Sequence, residues 1–201
     1  WLNKRIEWHI LGNHLFSNAK ALVFAGLFFS SKESQVWLKN GLEIIIKELK
    51  EQVLDDGGNF ELSTMYHAIF LEDLLDLINI SQSYPKIIKD FQVNEWKKVA
   101  NKMLKWLDLM THPDGDISFF NDAAIGIAPN FHELRCYSNR LGVTYKIPKV
   151  NKVTLLPESG YVRIDSNDLV GLLDVGSIGP DYLPGHAHAD TLSFEISFID
   201  S

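Results

Sequence analysis

The segment "PGHAHADTLSFEISF", residues 184–198, sets His186 and His188 one residue apart, with Asp190 two further on and a strand-like alternation directly after. Imidazole serves as metal ligand, proton carrier or hydrogen-bond donor. Three readings therefore compete: a metal site, a catalytic site, or two solvated loop histidines. If the segment is extended, both rings emerge on one side, because side chains along a strand repeat every two residues. One ring could then bind a metal while the other faces a cleft. Two imidazoles do not complete a zinc site, which needs about three or four ligands. Asp190 offers a third, although a turn-forming role at a strand start suits it as well.

Two further clusters carry polar groups suited to chemistry. "GNHLFSNAKAL" places Asn13, His14 and Asn18 in a stretch that otherwise reads as helix. Asparagine competes for backbone hydrogen bonds, so this density marks either a purpose or a break near Gly12. "MYHAIFLEDL" places Tyr66 and His67 in the first turn of a helix, where a tyrosine can also simply anchor the helix by its ring. In "HPDGDISFFNDAA", Asp114, Asp116 and Asp122 are the carboxylates that a glycoside hydrolase would need across a scissile bond. Asp122, with Asn121 beside it, sits between aromatic and small residues as a cleft floor would; a turn ordered by Asp side chains is the plainer alternative.

The elements that must position these groups fall into two halves. Leu42, Ile45, Ile46, Leu49 and Val53 recur at helical spacing, with Ser31 or Ser34 as start signal and "DDGG" at 55–58 as stop. Ile69, Phe70, Leu74, Leu77 and Ile78 form a second stripe, capped by Ser63. A third helix is predicted over Asn94–Met110, and residues 2–29 read as one helix or as two broken near Gly12. Long helices joined by short turns make antiparallel neighbours. The loops "DGGNFELS" and "HPDGDISFFNDAA" both follow helices, and loops of this kind at one end of a helical array line clefts. After about residue 150 the period changes. "NKVTLLPES", "SGYVRID", "DLVGLLDVG" and "DTLSFEISF" read as strands of an antiparallel sheet, with "DSND" at 165–168 as a hairpin turn. Leu192, Phe194, Ile196 and Phe198 are predicted to share one face. The expected boundary lies near 142–152, dividing residues 1–145 from 150–201.

Composition bounds the function. The 201 residues carry a net charge of −7, against the basic footprint that nonspecific nucleic-acid binding needs. The longest apolar run, "ALVFAGLFF" at 21–29, is far short of the roughly 18 residues of a membrane span. The lone Cys136 excludes an intrachain disulfide and reads as a buried thiol. The chain opens on Trp1 in helix-like sequence and stops at Ser201 just after a strand, so it reads as a fragment of a longer protein.

Taken in order, "GNHLFSNAKALVFAGLFF", "DGGNFELSTMYHAIFLEDLLDL", "PDGDISFFNDAA" and "GPDYLPGHAHADTLSFEIS" resemble the heparinase II/III-like polysaccharide lyases, from about residue 5 to the last residue. The resemblance implies an α+β multidomain fold: the end of an α/α toroid, then the first strands of an antiparallel β-sandwich. It implies an enzyme of periplasmic or secreted bacterial origin that cleaves an acidic polysaccharide. Carried over position by position, Asn13 and His14 match the pair near the uronate carboxylate, and Tyr66 matches the base and acid. His186 matches a substrate-facing histidine, and His188 a ligand of a bound zinc whose remaining ligands would follow Ser201. Asp190 then becomes a loop-ordering residue. His67, Asn121, Asp122 and Tyr182 are the substrate-binding candidates. Thr64 stands where relatives often carry proline, and both are tolerated in a first helical turn. The resemblance does not carry the identity of the polysaccharide, and the oligomeric state stays open.

The chemistry implied is β-elimination: a base takes the C5 proton beside the uronate carboxylate, and the bond from C4 to the bridging oxygen breaks. That proton is poorly acidic while the carboxylate is ionised, so donors such as Asn13 and His14 must offset the charge that grows in the transition state. Tyrosine has an ordinary pKa of about 10. A cation from His14, His67 or His186 is therefore expected beside Tyr66, to favour the phenolate. Two other classes remain: a glycoside hydrolase on a helical toroid, and a protein that binds acidic glycans without cutting them.

Overall fold

Helix α1 (Gly12–Phe28) and helix α2 (Lys32–Gln52) form an antiparallel hairpin joined by three residues. Ser31 starts α2 with a reciprocal capping box, its Oγ accepting from Ser34 N–H while the Ser34 hydroxyl accepts from Ser31 N–H. The helices pack closely because Gly41 lacks a side chain: a Cβ there would lie 2.8 Å from the Ala19 carbonyl oxygen. Helices α3 (Thr64–Ser83), α4 (Asp90–Leu109) and α5 (Phe131–Arg140) follow. Leu15, Phe16, Ile45, Phe70, Leu74, Ile78 and Met103 are among the residues that fill the shared helical core. This computed structural model describes residues 1–147 and 152–199; the stretch 148–151, within the expected boundary, lies outside the described residues.

Strands β1 (Val153–Leu156), β2 (Tyr161–Asp165), β3 (Leu169–Asp174) and β4 (Phe194–Phe198) form one antiparallel sheet in the order β1-β2-β3-β4. The 165–168 hairpin stands where the turn residues put it, closed by Ser166 N–H donating to the Leu169 carbonyl. One face of the sheet packs on the helices through a second core of Leu156, Tyr161 and Leu172 against Leu62, Trp106, Met110 and Phe120. Polar contacts fix the docking. Trp106 Nε1 donates to Ser159 Oγ, Asp56 accepts from Ser159 N–H and Oγ, and Arg163 reaches the Leu109 and Thr111 carbonyls. The opposite face presents Phe194, Ile196 and Phe198, with Val153 and Leu155, to the exterior.

Four local expectations need correction. Residues 2–29 hold a 3₁₀ turn at Leu2–Lys4 and an irregular stretch before α1, so the helix begins at Gly12. On α2, Ile46 is exposed; Ile44, Ile45, Glu48, Leu49 and Gln52 face inward, a rotation set by the close seat of Gly41 on α1. Leu192 precedes β4 in a turn with φ 73°, so it does not continue the strand face. Cys136 is only half-buried, beside His132 one turn away on α5. No helix among the described residues is long and apolar enough to cross a membrane.

Candidate active site

Three segments converge at Gly12. The backbone there has φ +52°, and a Cβ would come within 2.3 Å of Glu61 Oε1 and 2.8 Å of Leu183 Cδ2. Only glycine lets the start of α1, the loop before α3 and the histidine loop meet so closely. Leu11, the N-cap of α1, has no side chain able to cap it, and the Asn13 N–H of the first turn donates instead to Glu61 Oε1 at 3.0 Å. Below it, Gln52 Nε2 donates to the Gly12 carbonyl. The Asn13 side chain is partly exposed beside this anchor. His14 is half-exposed, its Nδ1 3.5 Å from Glu7 Oε2; Asn18 Nδ2 donates to the same Glu7 oxygen and to the His14 carbonyl. Asn18 thus ties the irregular segment before α1 onto the helix.

Tyr66 projects from the first turn of α3, whose start is set by Ser63 accepting from Tyr66 N–H. Its ring lies against His186, with centroids 3.8 Å apart and planes inclined by 34°. His186 Nδ1 is 3.0 Å from Asp122 Oδ2, and Nε2 is 3.5 Å from Glu61 Oε2. One imidazole therefore sits between two carboxylates and on a phenol, joining the α3 turn, the 61–63 loop, the 121–122 loop and the histidine loop. Leu11, Leu62 and Asn121, three residues other than glycine with positive φ, flank this junction. Such backbone persists only where surrounding structure holds it.

The electrostatics differ from the expectation of a cation that lowers the Tyr66 pKa. Burial, then the charges of Asp122 and Glu61, push the phenol above its ordinary value. Burial also raises the Glu61 carboxyl, while His186, the Asn13 N–H and His14 pull it back down. His67 supplies no cation. It is wholly buried, Asn59 N–H donates to its Nδ1 at 3.1 Å, and Nε2 lies 3.0 Å from the Met103 carbonyl. With Nδ1 accepting, Nε2 carries the proton and the ring is neutral. Burial lowers its pKa from 6.5 to about 4. The assignment of His67 as a substrate-binding residue is corrected: it pins the 55–63 loop to α4 from inside the core.

Asn121 is likewise a holder. It is buried, its Nδ2 donates to the Leu62 carbonyl and the Tyr161 hydroxyl oxygen, and its Oδ1 accepts from His188 N–H. With these bonds made, it orders the loops rather than presenting an amide to a ligand. Asp190 accepts from Asn121 N–H and orders the same junction. The histidine segment is a turn, closed by Ala187 N–H donating to the Pro184 carbonyl, so the two histidines do not share one side of a strand. The His188 residue is exposed. Among the described residues no group of three or more His, Cys, Asp or Glu could hold a metal ion.

Tyr182 is exposed, donates to Glu51 Oε1 at 2.8 Å and lies 6.4 Å from the Phe60 ring, beside a groove of about 700 Å³. Burial and Glu51 push its phenol up to about 12. Asp114 and Asp116 do not approach the junction as catalytic carboxylates. Asp114 accepts from Asp116 N–H in an exposed turn, which corrects their place in the hydrolase reading and leaves Asp122. Glu61 is the residue that the motifs do not single out. A signal for it exists all the same: it is the only Asp, Glu, Lys or Arg between Asp56 and Glu72.

The heparinase II/III N-terminus family matches residues 2–139, and the heparinase II/III-like C-terminal family matches residues 148–200. The chain belongs to the heparinase II/III family. It is 32% identical over 115 residues to a heparin-sulfate lyase of Bacteroides stercoris, covering 57% of this chain and 17% of that protein. It is 30% identical over 126 residues to the heparin-sulfate lyase of Bacteroides thetaiotaomicron, covering 61% and 17%. A crystal structure of heparinase III superposes with TM-score 0.77 at 18% identity, over 94% of this chain and 33% of that one. A heparan sulfate lyase mutant from Pedobacter heparinus gives TM-score 0.71 at 22% identity, over 98% and 32%. The chain thus spans about a third of these solved relatives. Its helices belong to a toroid and its sheet to a β-sandwich, the fold that the order of motifs implied.

Proposed function

We propose that the whole protein is a polysaccharide lyase that cleaves a uronate-containing glycosaminoglycan by β-elimination. The observation that carries this reading is the stack of Tyr66 on His186, which brings a group from the helices and one from the histidine loop to a single point, with Glu61 reaching both His186 and the Asn13 N–H. Similarity to heparin-sulfate lyases supports the substrate class. Tyr66 takes the C5 proton, the C4–oxygen bond breaks with formation of the C4–C5 double bond, and the proton passes to the departing oxygen. Asn13 and His14 offset the charge on the uronate carboxylate, and His186 lies against the substrate. Asp122 and Tyr182 form part of the binding surface. Incubating the full-length protein with heparan sulfate and hyaluronan, and with alginate as a uronate polymer outside the glycosaminoglycans, tests this: a product from either of the first two with the ultraviolet absorbance of an unsaturated uronate supports it, and cleavage without that absorbance, or of alginate alone, overturns it.

Zinc belongs to the same proposal, with His188 as one ligand. The described residues do not complete a site, so no step runs through the metal. The full-length protein should carry about one zinc ion per chain and lose it with His188→Ala. Stoichiometric zinc in that variant would show the ligand to be misassigned. A periplasmic or secreted location is part of the proposal too, and follows from the resemblance alone.

Glycoside hydrolysis retains one supporting observation, since Glu61 and Asp122 supply two carboxylates at one place. The His186 ring lies between them, however, where the sugar would need to be. The absorbance assay separates the two reactions.

A further inference from the structure

Glu61 is buried, yet it lies in a loop and touches groups on two other segments. Its Oε1 accepts from the Asn13 N–H, taking the place of the missing N-cap side chain on α1. A carboxylate at a helix start also sits well with the helix dipole. Its Oε2 is buried with no hydrogen-bond partner among the described residues and faces His186 Nε2 at 3.5 Å. A buried, unsatisfied carboxylate oxygen costs free energy, so a site that retains one calls for a use. Asp122, on the other ring nitrogen, is about half exposed, whereas the Glu61 side chain is only 2% exposed. A substrate reaching His186 can therefore displace Asp122 into solvent, but Glu61 has nowhere to go.

We propose that Glu61 is a positioning residue that holds the Asn13 turn of α1 and the His186 ring in register against Tyr66, one carboxylate oxygen to each. Its action on catalysis rests on the lyase reading; the placement it enforces does not. The 3.5 Å separation is longer than a made hydrogen bond. Catalytic contacts of this kind are often long in an empty site and tighten when substrate binds. The carboxylate behind the imidazole fixes the plane of the ring, so that the nitrogen now shared with Asp122 is left aimed at the ligand. The same residue explains Gly12, since any Cβ there would strike Glu61 Oε1.

The test uses the full-length protein and Glu61→Gln, which keeps the size and an acceptor for Asn13 N–H but removes the carboxylate behind His186. On a polymer that the wild type cleaves, kcat should fall about 10–100-fold, as losses of orienting partners do, with KM little changed. In a His186→Ala background the same substitution should cost little, because Glu61 acts through that ring. Equal fold-losses in the two backgrounds would overturn the proposal. If Glu61→Gln fails to fold, Glu61→Asp carries the same cycle, keeping the charge but drawing it back by one methylene. A crystal structure of the full-length variant supplies a readout without turnover. The His186 ring should leave the Tyr66 face, and a ring unmoved overturns the positioning role. If the wild type yields no unsaturated product from any uronate polymer, the lyase reading falls, and the ring position still decides the role of Glu61.

Discussion

At the residue scale, the site is a contest of charges around one phenol. Tyr66 has a neighbouring imidazole, yet burial of the ring and then the carboxylates of Asp122 and Glu61 raise the phenol above its ordinary value. In the proposed elimination, Tyr66 thus starts protonated near neutral pH. Because that mechanism needs the phenolate to take the C5 proton, kcat/KM of the full-length protein should keep rising with pH past the ordinary tyrosine value of about 10. A plateau reached near pH 7 would point to another base. Tyr66→Phe should cost about 10²–10⁴ in kcat, the usual worth of a general acid–base group, with binding nearly kept. Near-full activity in that variant would remove Tyr66 from the mechanism. Motif order brought Tyr66, His186 and Asn13 forward as candidates, and the fold gathers all three around Glu61 and Asp122. The sequence did not reveal which neighbours would dominate their fields. Glu61 and His67 show why: both lie within six residues of Tyr66, yet Glu61 turns toward Asn13 and His186 while His67 turns into the core.

At the element scale, the sheet is seated on the helices by a short polar chain. His112, from the turn after α4, has Nε2 2.7 Å from Glu195 Oε2 and Nδ1 2.7 Å from Ser197 Oγ, and Glu195 Oε1 accepts from Phe119 N–H. These residues alternate along β4 with Phe194, Ile196 and Phe198, so the polar side of the strand meets the helices and the apolar side faces away. The period-two pattern made that division legible; the use of the polar side as the docking side was not, because nothing in the spacing of Glu195 and Ser197 points to His112, which lies 83 and 85 residues away in sequence. The opposite face, apolar across all four strands through the register of Val153, Leu155, Val162, Ile164, Leu173, Phe194, Ile196 and Phe198, is the kind that a sandwich buries against a second sheet. His112→Ala should destabilise the protein by about 1–3 kcal/mol, since Glu195 and Ser197 lose a partner in a partly buried place, read as a lower thermal midpoint. An unchanged midpoint would show that the Trp106 and Arg163 contacts suffice to seat the sheet.

At the scale of the whole molecule, two loops legible as lining a cleft prove also to be the joint between helices and sheet. The 55–63 loop is held by Asp56 on Ser159, by the Leu62 carbonyl on Tyr161 and Asn121, and by His67 from below. Its shape therefore depends on a neutral imidazole deep in the helical core. Burial holds the His67 pKa at about 4 in the folded state, below the ordinary 6.5 that it regains on unfolding. The sign follows from which state binds the proton. Above pH 6.5 neither state binds it and the full contribution is present; between 6.5 and about 4 the unfolded chain takes up a proton that the folded one refuses, so stability falls with falling pH. The loss amounts to roughly 3 kcal/mol once pH drops below the folded value. His67→Gln, whose amide can still meet both backbone partners without titrating, should remove this portion of the acid sensitivity. Thermal midpoints of the two proteins should then converge as pH falls from 6.5 to about 4, the variant starting lower and losing less. Parallel curves over that window would show that another group governs the acid limb.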